Sequence, residues 1–180
     1  MNVRFGAVMN CTAVAFRPFS LISVCLSKKT WEHNRMAGRL YASLVERLIY
    51  PDGRPTVKEL HAKMREAGLM VKLKYSDEDY AAIEDIIDHK QDLKYPHYQI
   101  NQIRFKYALR DKVNKKEYET PQFVYMRMAM ALAENEPKAE RLKHIEAWYN
   151  HFSHNRLIPP TPNFVNLGTR LNGYASCCLY

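Results

Sequence analysis

The fold is decided by one apolar segment, Thr120-Pro121-Gln122-Phe123-Val124-Tyr125-Met126-Arg127-Met128-Ala129-Met130-Ala131-Leu132-Ala133. Threonine is a common helix cap, and proline is favoured at the first helical position. From Phe123 to Ala133 the side chains are apolar almost all round, and Arg127 is the exception. A helix that is apolar on every side is buried on every side, so this segment is expected to be a central helix that anchors the core.

Two helices are predicted in the first half of the chain from their caps and spacing. The first follows Thr30 and ends at the turn Tyr50–Gly53, and the second runs from the capping-box segment at Thr56 to Gly68. The second is expected to bury Val57, Leu60, Met64 and Ala67. The first is expected to bury one face made of Trp31, Met36, Leu40, Leu44, Val45 and Leu48.

Two more helices and a hairpin complete the predicted elements. Ser76 precedes three acids, which favours a helix start, and Pro137 to about Phe152 is amphipathic at helical spacing. The helix after Ser76 is expected to bury Tyr80, Ile83, Ile86 and Ile87. The polar segment Asp111–Lys116, flanked by two short segments, suits a small β-hairpin. The sequence therefore predicts a mainly α fold with one hairpin.

Composition and charge narrow the class of protein. With 180 residues, 47% hydrophobic and 26% charged, the chain can form one globular core. The formal charge of +8 is shared between the first thirty residues, which hold four cations and no acid, and a remainder of only +4. That remainder interleaves its cations with acids, so no nucleic-acid patch is expected. No apolar run reaches membrane-spanning length, so no membrane partner is expected either.

The four cysteines, Cys11, Cys25, Cys177 and Cys178, have no regular spacing and do not form a disulfide framework. This pattern favours a reducing compartment, and the cytoplasm is expected. His144, His151 and His154 lie at helical spacing, but no cysteine joins them, and the nearest acid in sequence, Glu146, is expected on another face. No metal site is therefore predicted.

The end of the chain carries the candidate chemistry. Pro160 and Pro162 fix the backbone around Thr161, whose hydroxyl and neighbouring amides could contact an anionic ligand. Further along, Ser176 and Cys177 lie in an apolar segment, Ala175–Tyr180, that reads as a strand. The alternative is ordinary structure, in which a proline-braced loop leads into a strand and Cys177 is a buried thiol.

The combination of Pro160-Thr161-Pro162, Arg170 and Ala175-Ser176-Cys177 resembles the large catalytic subunit of class I ribonucleotide reductases. The likeness spans about residues 31–180. Other segments are similar to that family in the same order: Lys74–Asp79, Ile87-Asp88-His89 with Asp92, Lys106–Glu119, Thr120–Phe123 and Arg141–Tyr149.

The resemblance implies a helical domain followed by a ten-stranded α/β barrel that reduces ribonucleoside diphosphates by a radical mechanism. It implies that residues 31–158 form the helical domain and that 159–180 contain the first strand or strands of an incomplete barrel. Residues 1–30 are expected to be an atypical extension whose order the sequence does not define. By resemblance, Thr161 contacts substrate phosphate, Ser176 lies against the substrate, and Cys177 is one of two reducing thiols.

The resemblance also implies partners. The family places its thiyl-radical cysteine and the partner of Cys177 in later sequence, so the chain is expected to be inactive alone. It would need the remainder of the large subunit, from the same gene or a split product, and a radical from a separate metal-containing small subunit. No cofactor is expected to bind this chain directly, and an external dithiol of thioredoxin or glutaredoxin type would restore the thiols. The alternative is a non-catalytic helical binding module for an acidic partner or RNA.

Overall fold

A computed structural model describes the chain at Ile22, residues 30–111 and residues 113–171. These residues form a mainly helical structure with one two-stranded hairpin, which confirms the predicted class. The strand predicted at Ala175–Tyr180 lies outside the described residues. The elements are α1 (Trp31–Ile49), α2 (Val57–Glu66), α3 (Asp77–Ile86), a 3-10 helix (His89–Lys94), α4 (His97–Gln102), a π-helical turn (Ile103–Tyr107), β1 (Arg110–Asp111), β2 (Lys116–Glu117), α5 (Pro121–Ala133), α6 (Lys138–Ser153) and α7 (Thr161–Asn166).

The apolar segment that opens the sequence analysis forms α5, with Pro121 at its first turn. Twelve of its thirteen residues are buried, including Gln122 and Arg127. Helix α6 packs along it, while α7 and the π-helical turn also contact it. The prediction of a central helix is therefore confirmed.

Helix α1 has the predicted extent, but its buried face differs from the prediction. Trp31, Met36 and Leu48 are 64%, 55% and 53% exposed. The buried face consists of Ala37, Gly38, Tyr41, Ala42 and Val45. Gly38 sets this rotation because it lies against the backbone that joins the 3-10 helix to α4, where only a residue without Cβ fits.

Replacing Gly38 by Ala tests this close approach. A Cβ at this position would overlap the carbonyl oxygen of Tyr95 and lie 3.1 Å from Pro96 Cα and His97 N. Alanine is normally the better helix former by about 1 kcal/mol, so a loss of stability isolates the clash. We expect Gly38→Ala to lower the free energy of unfolding by about 2 kcal/mol in urea titrations. Ser43→Ala, on the exposed side of the same helix, is the control and should change it by less than about 0.5 kcal/mol.

Helices α2 and α3 begin where their caps predicted. The Thr56 hydroxyl accepts from Glu59 N at 3.3 Å, and Glu59 Oε2 accepts from Thr56 N at 3.0 Å. Ser76 and Asp79 make the same reciprocal pair at the start of α3. Gly68 has a φ of 71° and ends α2 as predicted. In the predicted buried sets, Ala67 is exposed, while Tyr80 and Ile86 are half-buried.

The Ser76 cap gives a small, local prediction. Ser76→Ala removes the acceptor for the Asp79 amide, and we expect it to lower the free energy of unfolding by about 1 kcal/mol. Ser76→Asn, which keeps a capping oxygen, should restore most of that loss in the same chemical denaturation experiment. Equal losses in the two variants would contradict a role for the side-chain oxygen.

No element was predicted between α3 and the hairpin, where the structure has the 3-10 helix, α4 and the π-helical turn. The 3-10 helix is capped by Asp88, whose Oδ1 accepts from Lys90 N at 3.0 Å, and the π-helical turn closes where Ala108 N donates to Ile103 O at 2.8 Å. The hairpin that follows pairs Asp111 with Lys116, which confirms the hairpin prediction.

Two apolar residues beyond α6 pack on the same core. Phe164 and Leu167 are 4% and 1% exposed. Of the predicted extension 1–30, the structure describes Ile22, which is buried, and Thr30. The boundary between a helical domain and a barrel at 158/159 stays a prediction. None of the described helices is long and apolar enough to cross a membrane.

Candidate functional site

Thr161 is the predicted site residue that the structure describes. It is the first residue of α7, which follows Pro160, so the proline-braced segment opens a short helix. Its side chain is exposed, and its hydroxyl lies 3.5 Å from the Tyr107 hydroxyl. Tyr107 in turn accepts from Gln102 Nε2 at 3.2 Å. The hydroxyl predicted to contact phosphate is therefore accessible and has a second hydroxyl beside it.

Aromatic packing fixes α7 on the helical core. The rings of Tyr107 and Phe164 stack with centroids 4.3 Å apart and planes 13° apart. Tyr125 from α5 lies 6.1 Å from Phe164 at a tilted angle. Beside them is a groove of about 280 Å³, which Gln99 and Asn155 also line. Thr161 thus stands next to a partly apolar groove on a packed surface.

Arg127 and Glu119 form a buried ion pair under α7. Both side chains are fully buried, and Arg127 Nε lies 2.7 Å from Glu119 Oε1. The Arg127 guanidinium also donates to the carbonyl oxygens of Phe164, at 3.0 Å, and Leu167. Glu119 Oε2 accepts from Leu109 N at 2.7 Å, next to the hairpin. One guanidinium therefore joins the central helix to the end of α7, the helix that begins with Thr161.

Gly168 lies close to the buried Arg127 side chain. Its φ is 77°, in the region that favours glycine, and an added Cβ would lie 3.1 Å from Arg127 Cγ. Its carbonyl oxygen accepts from Val71 N at 3.0 Å, which ties the end of α7 to the segment between α2 and α3.

A second buried polar network surrounds Gln122 at the start of α5. Gln122 Nε2 donates to Asp92 Oδ1 at 2.8 Å and to the Tyr95 hydroxyl at 3.1 Å. Its Oε1 accepts from the Tyr149 hydroxyl at 2.6 Å, and that hydroxyl accepts from Asp88 N at 2.8 Å. Gln122 thus joins the 3-10 helix to α6 through hydrogen bonds at both ends of its amide.

Burial shifts the pKa values of three side chains. Removal from water raises the pKa of Asp92 to about 7, and the hydrogen bond from Gln122 opposes this shift. Burial also lowers the pKa of His61 to about 3 and that of His89 to about 4, with nearby arginines acting in the same direction. Asp92 is therefore protonated in the folded protein at mildly acidic pH.

Ser176 and Cys177 lie outside the described residues, as do Cys11, Cys25 and Cys178, so their predicted roles stay predictions.

The three histidines that were considered as metal ligands lie on α6 and at its C-terminal cap. His144 Nε2 lies 3.8 Å from Glu140 Oε2, one turn earlier on α6. His154 Nδ1 lies 3.1 Å from Asn150 O. No group of three metal-ligating side chains occurs within residues 30–111 and 113–171.

Most of this site lies in a segment that is similar to one known family. Residues 94–172, which include Thr161, Arg127 and Glu119, match the family described as "Ribonucleotide reductase, all-alpha domain". Over these residues the chain is similar to the ribonucleotide reductase all-alpha domain. The predicted resemblance to the large subunit is thereby confirmed.

Curated ribonucleotide reductase subunits extend the match. The ribonucleoside-diphosphate reductase subunit alpha of Enterobacteria phage T4 is 36% identical over 104 residues, which is 58% of this chain and 14% of that protein. The subunit alpha of Buchnera aphidicola subsp. Schizaphis graminum is 27% identical over 163 residues, or 86% of this chain and 21% of that protein. Escherichia coli K12 reductase 1 subunit alpha is 26% identical over 158 residues, again 86% and 21%. The chain therefore spans 14% to 21% of the length of these relatives.

Sequence reasoning singled out Thr161 but missed the groups that hold its helix in place. Arg127 was visible as the one charge in an apolar helix, and Glu119 immediately precedes the cap of that helix. A lone charge in a helix that must be buried is the signal that could have predicted a partner, because an unpaired buried charge is too costly to persist.

Proposed function

We propose that this chain contributes to the reduction of ribonucleoside diphosphates, as the helical part of a ribonucleotide reductase large subunit. The observation that carries this proposal is the placement of Thr161 within the segment that matches the family. Its hydroxyl is accessible, its helix is anchored by a buried arginine, and a groove lies beside it. In this proposal Thr161 donates its hydroxyl hydrogen bond to a phosphate oxygen of the substrate.

The proposed chemistry belongs to the thiols. Cys177 and a second cysteine of the completed large subunit supply two electrons and two protons and become a disulfide. The ribose 2′-hydroxyl leaves as water, and a hydrogen takes its place on the carbon. An external dithiol then reduces the disulfide by exchange, becoming a disulfide itself. Ser176 is assigned to contact the substrate beside this thiol.

The proposal includes partners because the domain covers a small part of its relatives. The remainder of the large subunit would supply the second thiol and the radical cysteine. A separate metal-containing small subunit would generate the radical. The thiol chemistry fits a reducing compartment such as the cytoplasm.

The test measures binding of a radiolabelled ribonucleoside diphosphate to the full 180-residue chain by equilibrium dialysis. Thr161→Val keeps the shape of the side chain and removes the hydroxyl, and we expect it to weaken binding about tenfold. Thr161→Ser, which keeps the hydroxyl, should bind within about threefold of the parent. Folding of all three proteins is checked by circular dichroism.

Two outcomes would contradict the proposal. One is diphosphate binding that is equal in the Val and Ser variants, which would remove Thr161 from the phosphate site. The other is no diphosphate binding together with RNA binding whose affinity falls steeply with salt, which would favour the non-catalytic binding module.

A further inference from the structure

A groove of about 440 Å³ lies at the C-terminal end of α6, where the chain turns back on the helix. Its lining combines one indole, one guanidinium, two imidazoles and two aliphatic side chains: Trp148, Arg156, His144, His151, Ala147 and Leu157. Of the described residues, Leu157 alone also lines the groove beside Thr161. No aspartate or glutamate is among the described residues that line it. The groove is therefore a separate concave surface on which a cation and apolar groups meet.

The turn that ends α6 builds one wall of this groove. Arg156 N and Leu157 N both donate to His151 O, at 2.9 and 3.1 Å, so two residues beyond the helix are held against its last turn. Asn155 has a φ of 56°, a left-handed conformation that asparagine adopts more readily than most residues. Its Oδ1 accepts from Gln99 Nε2 at 2.7 Å, which ties the turn to α4. The wall is in place before a ligand binds, so binding costs little backbone entropy.

Trp148 supplies a flat apolar surface in the groove. The buried ring of Phe152 stacks on the indole, with centroids 5.8 Å apart and planes 20° apart. Phe152 does not line the groove, so it supports the indole from the core side and leaves the rest of the ring to the groove. Leu157, which is 45% exposed, extends this apolar surface. An indole that is already held in this way is a suitable platform for a second aromatic ring.

Arg156 supplies a positive charge that the described part of the chain does not use. Its side chain is exposed, and no described carboxylate lies within ion-pair distance of its guanidinium. His144 differs in this respect, because Glu140 Oε2 lies 3.8 Å from its Nε2. A guanidinium is always charged in proteins, and its planar fork matches a carboxylate through two parallel hydrogen bonds. Arg156 is therefore the group on this surface that is suited to hold an acid.

We propose that this groove binds a small aromatic carboxylate. The aromatic ring of the ligand stacks on Trp148 and contacts Leu157, while its carboxylate accepts two hydrogen bonds from Arg156. The volume of the groove falls within the range of about 300 to 1,000 Å³ that small-molecule sites occupy. Because Arg156 is the one arginine or lysine of the described lining, a ligand with a single negative charge fits better than one with several.

The experiment measures binding of naphthoate, a flat aromatic carboxylate, to the full 180-residue chain by equilibrium dialysis. We expect a dissociation constant below about 1 mM. Arg156→Gln removes the guanidinium at an exposed position, where substitutions rarely affect folding, and should weaken binding about tenfold. Arg39→Gln removes the same charge from an exposed position of α1 outside the groove, and should change binding by less than about twofold.

Two further comparisons test the aromatic contact and the carboxylate separately. Trp148→Leu should weaken naphthoate binding about fivefold, whereas Trp31→Leu, which removes the 64% exposed tryptophan of α1, should leave it unchanged. Circular dichroism checks that all variants are folded. Naphthalenemethanol has the ring without the carboxylate, so it should bind about tenfold more weakly than naphthoate and should not respond to Arg156→Gln.

Several results would overturn the proposal. Absence of naphthoate binding at about 1 mM would remove the site. Equal weakening by Arg156→Gln and Arg39→Gln would show that binding follows net charge alone. Tighter binding of naphthyl phosphate, or of an acidic peptide that carries an aromatic residue, with the same dependence on Arg156 would assign the groove to a different ligand. No diphosphate and no Thr161 variant takes part in these measurements, so their outcome is independent of the Thr161 test.

Discussion

Replacing Arg127 by Met is expected to lower the free energy of unfolding by about 3 to 5 kcal/mol. The substitution leaves Glu119 as a buried carboxylate without its cation and leaves the carbonyl oxygens of Phe164 and Leu167 without their donor. Urea titration followed by circular dichroism measures the loss. We also expect α7 to become more sensitive to proteolysis than the rest of the chain, because its anchor to α5 is gone.

Two further variants distinguish the effect of breaking the ion pair from the effect of losing an arginine side chain. Arg104→Met breaks the Arg104–Glu117 pair, whose side chains are 14% and 21% exposed, and should cost only about 1 to 2 kcal/mol. In Glu119→Gln/Arg127→Met the buried charge is removed together with its partner, so part of the stability should return. If Arg127→Met costs no more than Arg104→Met, the buried pair does not anchor α7.

Replacing Asp92 by Asn is expected to change how stability depends on pH. The folded-state pKa of Asp92 is about 7, against 3.8 for an ordinary aspartate. Between these values the folded protein holds a proton that the unfolded chain has released. The free energy of unfolding contributed by this group therefore falls as pH rises from about 4 to 7, and it is constant above about 8. The asparagine in the variant cannot ionise, so the stability of Asp92→Asn relative to the parent should rise by up to about 4 kcal/mol over that range.

The measurement is a series of urea titrations of both proteins from about pH 4 to pH 8. His61 and His89 contribute with the opposite sign, because their lowered pKa values make stability fall as pH drops below about 6.5. They are present in both proteins, so the difference between the two curves isolates Asp92. Asp85→Asn, which removes an exposed carboxylate of α3 instead of a buried one, is the matched control for the change in net charge. A parallel curve for Asp92→Asn would show that Asp92 ionises in the folded state as it does in the unfolded chain.

Elements with local signals were predictable from the sequence. The capping boxes at Thr56 and Ser76 placed the starts of α2 and α3, because the reciprocal bonds involve residues only three positions apart. Gly68 marked the end of α2 for the same reason, since its left-handed backbone is a local requirement. The burial of α5 could be predicted from its apolar sequence without knowing which elements pack against it.

Features that depend on contacts between distant residues were not predictable in this way. The rotation of α1 follows from the contact of Gly38 with Tyr95, and periodicity alone favoured a face containing Trp31 and Met36. The 3-10 helix and π-helical turn depend on packing and on single caps such as Asp88, and their apolar spacing matches no regular period.

The candidate site also combines residues that the sequence identified with contacts that only the folded structure shows. The sequence identified Thr161 by its flanking prolines and by resemblance, and the resemblance alone assigned Ser176 and Cys177. The pairing of Arg127 with Glu119, and the use of its remaining donors on the carbonyls of α7, required the folded structure, because these carbonyls are 37 and 40 residues away. The Asp92–Gln122 bond likewise spans 30 residues.

By itself, the sequence determined the helical class, the capping boxes at Thr56 and Ser76, the hairpin and the family resemblance. Local hydrogen bonds and side-chain periodicity involve residues that are close in sequence, so they can be recognised from the sequence alone. Only the tertiary structure decided which face of α1 is buried, which cation holds α7 and which carboxyl keeps its proton. Those outcomes depend on close approach and removal from water, and both arise only when distant segments pack together.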